Sequence, residues 1–450
     1  MRSNFYPFRP IPHEEVLKQY YVGKDIGDVP KPAVVLDVAI IKKHCERMLQ
    51  TVKALDVGFR AHVKTHKTTQ IAQLQVGHGN EDANFVASTV LEIEWLALLL
   101  KDFKIQSRRF NILYGIPLVP SQTTWLAKIA RELGPGSVSV MIDHPGQIEY
   151  LKDFQLEAGF SAHVFVKVDC GYHRAGLPPA MLNKNGLLEK LAEAEKEGYA
   201  VILGVYSHNS LSYGGSTPDE AMEYLTAEIV SCREAIKHNS HLLSGRELVI
   251  SVGATPQVVS SNNLLGSPSS SAAEKLKNLL HNPSESSIPV KVELHAGVYP
   301  VLDMQQFSTN ARHSAGKLEE EVAISVLAEV CSLYNDGERY KPEALVAAGS
   351  LALGREPCKA YPGWGVVSDW RREPGNSRLI VERISQEHAI LAWEDGGSGE
   401  IPLEIGQSVR VYPNHACVTG AMYGWYLVVD SSEDRDASKI VDVWVRIGGW

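Results

Sequence analysis

Only six cysteines are scattered over the 450 residues, at Cys45, Cys170, Cys232, Cys331, Cys358 and Cys417, and no two of them stand in CxxC spacing. That excludes a disulfide scaffold. The longest strongly apolar run, Trp95 to Leu100, is far too short to cross a bilayer. No block of like charge occurs, and the formal net charge is −9. A nucleic-acid partner, which needs concentrated Lys and Arg, is therefore not expected. The opening MRSNFYPFRPIPHEE has no basic segment followed by an apolar one, and no SKL-type address ends the chain. The expectation is a protein of the reducing cytoplasm. No GxGxxG follows the first strand-like segment, which disfavours a dinucleotide-binding open sheet.

A hydrophobic content of 44% with 22% charged residues suits a soluble globular chain long enough for two domains. From about Pro32 to Asp303, short β-rich runs alternate with helix-like stretches. The runs are AVVLD (33–37), VGFRAHVK (57–64), NFVAS (84–88), FNILYG (110–115), SVSVMID (137–143), AHVFVKVD (162–169), VILGVYSH (201–208), ELVISVG (247–253) and VKVELHAG (290–297). Helical patterns fill 38–54, 90–102, 121–132, 146–158, 181–198 and 218–239. Such alternation predicts parallel βαβ units, and about eight of them make a TIM barrel over residues 32–305. The Ser-rich stretch 259–275, continuing through HNPSESS, reads as a surface insertion of about 259–289 with a short helix at 273–280. Beyond residue 306 the pattern turns to strands punctuated by Gly, Pro, Asp and Asn, predicting a mainly antiparallel β-domain over 306–450. Residues 1–31 are expected to pack on that domain.

One strand carries unusual chemistry. In VGFRAHVKTHKT the apolar Phe59, Ala61 and Val63 alternate with Arg60, His62 and Lys64. Period two puts the three polar residues on one face. Inside a barrel such a face is costly unless it meets a polar ligand; the same pattern also suits an exposed edge strand. Lys67 follows closely but lies past the strand's end.

AHVKTHKT resembles the lysine motif of the D-serine dehydratase and D-threonine aldolase family, in the alanine-racemase-like class of pyridoxal-phosphate enzymes. VDCGYHRAGL (168–177), GVYSH (204–208), SVGATP (251–256), ELHAGVYPVLD (293–303), ISQEHAIL (384–391) and VYPNHACVTG (411–420) resemble the same family in the same order. The resemblance runs from about residue 30 to 430. It implies a (β/α)8 barrel followed by a β-domain, a homodimer, and pyridoxal 5'-phosphate held by Lys64 as the Schiff-base lysine. A Lys whose pKa is lowered by enclosure can attack an aldehyde and later take the Cα proton.

The resemblance further implies cofactor-binding roles for Arg174, Tyr206, His208, Ser251, Gly253, Thr255, Gly297 and Tyr299. SVGATP and HAGVY would offer backbone N–H groups and hydroxyls to the phosphate; taken alone, each reads as an ordinary βα turn. His208 would pack on the pyridine ring, and Arg174 would lie near the cofactor's phenolic oxygen or the substrate. PNHAC places His415 and Cys417 two apart, so an extended segment would point both the same way. Imidazole and thiolate suit Zn2+; without the family match, a buried His beside an unremarkable Cys would explain the pair. The D-serine dehydratases carry zinc at such a pair, whereas the aldolases more often show His-x-Asp. The implied activity is D-serine to pyruvate and ammonia, with zinc drawing off the β-hydroxyl. The alternatives are D-threonine aldolase activity and a non-catalytic pyridoxal-phosphate-binding protein. The NSLSYGG segment after His208 departs from the family pattern. His388 matches a family position without an assignable role.

Overall fold

A computed structural model describes residues 11–266, 270–282, 288–372, 377–434 and 436–449. The start of the expected N-terminal segment (1–10) and parts of the expected insertion (267–269 and 283–287) lie outside the described residues. Strand β1 (Ala33–Asp37) precedes eight parallel strands that close into a barrel: β2 (Gly58–His62), β3 (Ala83–Ala87), β4 (Phe110–Pro117), β5 (Val138–Ile142), β6 (Ala162–Lys167), β7 (Ala200–Tyr206), β8 (Leu248–Val252) and β9 (Val290–Ala296). The expected barrel is present, with one correction. AVVLD reads as a first barrel strand, but β1 pairs antiparallel with β10 (Ile324–Tyr334) and parallel with β16 (Trp425–Val429). An apolar run buried on both faces signals a central strand without saying of which sheet. Val34 and Leu36 face the barrel's helices, and Val35 joins a separate cluster with Leu427 and Val443.

The helices wrap the barrel where the apolar periodicity predicts them, at Val38–Ala54, Val90–Ile105, Pro120–Leu133, Glu149–Ala158, Leu187–Lys196 and Pro218–His238. A short helix at Thr69–Val76, capped by the Thr68 hydroxyl accepting from the Ile71 amide, has no counterpart in the sequence reading. In the Ser-rich stretch the short helix expected at 273–280 is present as Ser271–His281, but the stretch as a whole is not a surface insertion. Its described parts are the ordinary helical return between β8 and β9, Thr255–Ser260 and Ser271–His281, and Ser260, Ser261 and Leu264 are buried rather than on the surface. Buried serines are tolerated because Ser260 and Ser261 donate to the carbonyls of Gln257 and Val258, at 2.7 and 2.6 Å.

The remaining strands are β11 (Glu343–Val346), β12 (Gly365–Val367), β13 (Leu379–Ile384), β14 (Ala389–Trp393), β15 (Ser408–Pro413) and β17 (Asp442–Val445). Their order is β11-β14-β13-β12-β15-β10-β1-β16-β17, mainly antiparallel, and β10 also pairs with β11. Six strands thus close around Val326, Ala328, Val381, Leu391 and Val411, while β1, β16 and β17 extend toward the large barrel. The helix Glu14–Tyr21 lies against β17, where Lys18 meets Asp442 at 3.1 Å. Tyr412, Tyr426, Val428 and Trp444 of the second sheet pack into the barrel's own hydrophobic core, so the two sheets share it. No helix among the described residues is long and apolar enough to cross a membrane.

Candidate active site

The polar face of β2 points into the barrel. Ala61 and Val63 are buried in the layer between strands and helices. Arg60 turns inward and binds Glu293 of β9 through Nε (2.6 Å) and Nη2 (3.2 Å), and its Nη1 donates to Asn111 Oδ1 at 2.7 Å. A buried guanidinium persists because every face of its fork finds an acceptor. Lys64 stands two residues past the end of β2, at the barrel's C-terminal mouth, and is half-buried. Lys67 takes φ +51° and turns away to an ion pair with the buried Glu92, 2.8 Å apart. Lys64 alone faces the mouth.

Two imidazoles stand beside it. Burial holds His62 and His208 well below the ordinary histidine range, and the charges of Lys64 and Arg174 push both the same way. His208 Nδ1 lies 2.6 Å from the Gly253 carbonyl and so carries the proton, leaving Nε2 as an acceptor. Arg174 is exposed in the loop after β6, its guanidinium 5.3 Å above the Tyr172 ring. That loop is tied down by Asp169, which accepts from the amides of Gly171 and His173, and by Asp143, which accepts from Gly176.

Two glycine turns flank the mouth. Gly253 has φ +139°, and a Cβ there would meet the His295 carbonyl at 2.6 Å. At Gly297 a Cβ would lie 3.0 Å from the His62 carbonyl. Thr255 joins the turns, its hydroxyl accepting from the Val298 amide at 3.1 Å. Close backbone approach with room for no side chain is what a phosphate cradle requires.

Two expected hydroxyls are not at the mouth. Ser251 is fully buried and donates inward to Glu293 at 2.9 Å, with His295 Nδ1 at 3.2 Å. It satisfies the barrel interior's charge. Tyr299 packs outward against Phe59 with its hydroxyl beside Cys45, because β9 ends at Ala296 and the turn that follows breaks the strand's alternation, so that Val298 and Tyr299 both enter the helical layer. Tyr206 does face inward, stacked flat on His295 with centroids 4.3 Å apart.

Several residues escape the motif reading. His295 lies between Tyr206 and His208, and its Nε2 is buried without a hydrogen-bond partner. The signal was present: Glu293 and His295 alternate with apolar neighbours just as Arg60 and His62 do. Lys167, on the inner face of β6, is buried 5.0 Å above the Tyr206 ring. Burial pushes Glu228, in the helix outside β7, up to about 7 against the opposing pull of the Lys167 charge. Tyr213, in the NSLSYGG segment, is pushed above its ordinary value by burial and by the nearby Cys417 and Asp303.

The His415–Cys417 segment is not extended as the spacing suggests. His415 is the extended residue preceding the helix Ala416–Ala421, and Cys417 lies in that helix's first turn. The two side chains nevertheless stand together. Burial opposes the charge of each, yet they stabilise one another, His415 held up at about 9 and the Cys417 thiol drawn below its ordinary value. Cys417 Sγ is 3.2 Å from the hydroxyl of Thr65, the residue after Lys64. The pair therefore sits at the mouth of its own chain's barrel. His415 Nδ1 is buried and makes no hydrogen bond, with the Glu356 carboxylate 4.0 Å away, so on loss of its proton the nitrogen is available to a cation. No group of three or more His, Cys, Asp or Glu able to hold a metal occurs among the described residues. His388 lies in the exposed turn between β13 and β14, outside the site.

Comparison with known proteins agrees with this architecture. Residues 36–265 match the model of the alanine racemase N-terminal domain, and residues 323–429 that of a putative serine dehydratase domain. A D-serine dehydratase of Schizosaccharomyces pombe is 35% identical over 97% of this chain and 96% of its own length. One of Saccharomyces cerevisiae is 30% identical over 97% of this chain and all of its own. A D-threonine aldolase of Arthrobacter is more distant, at 24% over 94% of this chain and 93% of its own. Among solved structures, D-threo-3-hydroxyaspartate dehydratase from Delftia superposes with a TM-score of 0.73 at 24% identity, covering 95% of this chain and 100% of that one.

Proposed function

Because the chain belongs to the D-serine dehydratase family of alanine-racemase-like proteins, we propose that it converts D-serine to pyruvate and ammonia, using pyridoxal phosphate on Lys64 and zinc on His415 and Cys417. The observation that carries this reading is the 3.2 Å contact between Thr65 and Cys417, which brings the metal pair alongside the lysine loop. When bound, pyridoxal phosphate supplies an electron sink for the substrate's Cα, and zinc a Lewis acid for the departing hydroxyl.

The chain's own groups do the rest. The Lys64 Nζ anchors the aldehyde and then takes the proton from Cα. Amides of the Gly253 and Gly297 turns bind the phosphate, and Thr255 holds those turns together. The positive charge of Arg174 at the rim attracts the substrate carboxylate. His208, its proton committed to Gly253, lines the cofactor as a neutral ring. His415 and Cys417 would hold the zinc through one nitrogen and one sulfur, a donor set that suits that ion. Below them the Arg60–Glu293–Ser251–His295 network closes the barrel floor to solvent. The greater similarity to dehydratases than to the aldolase supports loss of hydroxide over cleavage of Cα–Cβ. A homodimer in a reducing cytoplasm completes the reading, consistent with six unpaired cysteines.

Purified protein will show the visible absorbance of a lysine-bound pyridoxal group, and Lys64→Ala will abolish both the band and turnover. D-serine will yield pyruvate in a zinc-dependent manner. Glycine and acetaldehyde from D-threonine, with no pyruvate from D-serine, would overturn the reading in favour of an aldolase; no loss of any D-amino acid from zinc-reloaded protein would leave a binding protein.

A further inference from the structure

The turn bearing His415 and Cys417 belongs to the β-domain, yet barrel residues grip it from both sides. Asp303, in the loop after β9 that begins with Gly297, is completely buried. Its Oδ2 accepts from the Ala416 amide at 2.7 Å, and its Oδ1 from the Gln306 amide at 2.8 Å. Ala416 is the residue between the two ligands. The same loop adds a backbone bond, Gln305 N to Asn414 O at 3.1 Å, one residue before His415. From the other side the Thr65 hydroxyl touches Cys417 Sγ at 3.2 Å. The loop after Lys64 and the loop after Gly297 thus both end on the metal pair.

We propose that Asp303 and Thr65 are positioning residues that clamp the His415–Cys417 turn, so that both side chains reach one zinc ion beside the cofactor loops. The inference rests on the zinc reading above. A carboxylate is suited to the task because it only accepts, and each of its oxygens takes one N–H from a different loop. An amide of the same shape would turn an N–H against one of those two donors. Outer groups that orient metal ligands typically contribute 10–100-fold in affinity.

Zinc dissociation constants of holoenzyme variants, measured by competition with a chromogenic chelator, test the clamp. Asp303→Asn is expected to bind zinc about 10–100-fold more weakly, to lose kcat at limiting zinc, and to regain it in excess zinc, with the absorbance band of the lysine-bound cofactor retained. Thr65→Val is expected to weaken zinc in the same direction, and it decides the matter if Asp303→Asn does not fold. Zinc affinity within twofold of wild type in the folded variants, with only the melting temperature of metal-free protein lowered, would reduce both residues to a structural role and overturn the proposal. Wild-type protein that binds no zinc, or a Cys417→Ala variant that binds it equally well, would instead overturn the zinc reading itself.

Discussion

An ammonium group just beyond a barrel strand has two fates open to it, an ion pair or the mouth. Lys67 and Lys64, three apart, take one each. Lys67 is neutralised by Glu92, whose side chain is 1% exposed. Lys67→Ala is therefore expected to retain the cofactor's absorbance while losing about 3 kcal/mol of stability, because the buried carboxylate loses its cation and keeps only the Ser88 amide; thermal melts and spectra of the two lysine variants separate these roles. Loss of the band in Lys67→Ala, with retention in Lys64→Ala, would reverse the assignment. Cys417→Ala, which removes the thiolate but little volume, is expected to lower zinc affinity more than 100-fold with the melting temperature of metal-free protein nearly unchanged, checked by chelator competition.

Among the elements, the turns and connectors matter most. Gly253 combines φ +139° with carbonyl contact to His295 at the Cβ position. Gly253→Ala should cost about 2–3 kcal/mol and displace the phosphate turn, seen as a lower melting temperature together with weaker cofactor retention on dialysis. The short helix Leu318–Glu321 links barrel to β-domain through Glu321, which meets His44 at 3.0 Å and Arg312. Burial opposes its charge, but the His44 hydrogen bond and the Arg312 guanidinium hold its carboxyl down at about 2. A depressed folded pKa means stability that is complete above the unfolded value of roughly 4.3 and is lost as pH falls toward 2. Glu321→Gln should lower the melting temperature at pH 7 and have a much smaller effect near pH 2.5. Equal destabilisation at both would show that the charge is not what holds the junction.

For the whole molecule, the shared core is decisive. Tyr426, Val428 and Trp444 of the second sheet are buried among barrel helices, and β1 joins the second sheet before the barrel begins. Neither part can open without exposing the other's apolar surface. Calorimetry should accordingly show one cooperative transition, raised by zinc and cofactor through mass action; two resolved transitions would show that the sheets unfold independently.

Much of this was legible in the amino-acid order. Alternation of strand and helix patterns specified the barrel, and the polar face Arg60-His62-Lys64 marked its mouth, because period two is a property of a strand wherever it packs. His295 is legible by the same rule. A hydroxyl near a glycine turn carries no sign of whether it points to mouth, floor or helices, so only packing placed Ser251 at the floor and Tyr299 in the helical layer. AVVLD could not announce its sheet, since a doubly buried strand looks alike in either. Local chemistry thus set the elements and their faces. Only packing decided that Thr65 and Cys417, 352 positions apart, would touch. Periodicity constrains residues sharing one element, whereas a meeting between elements depends on how whole buried surfaces fit.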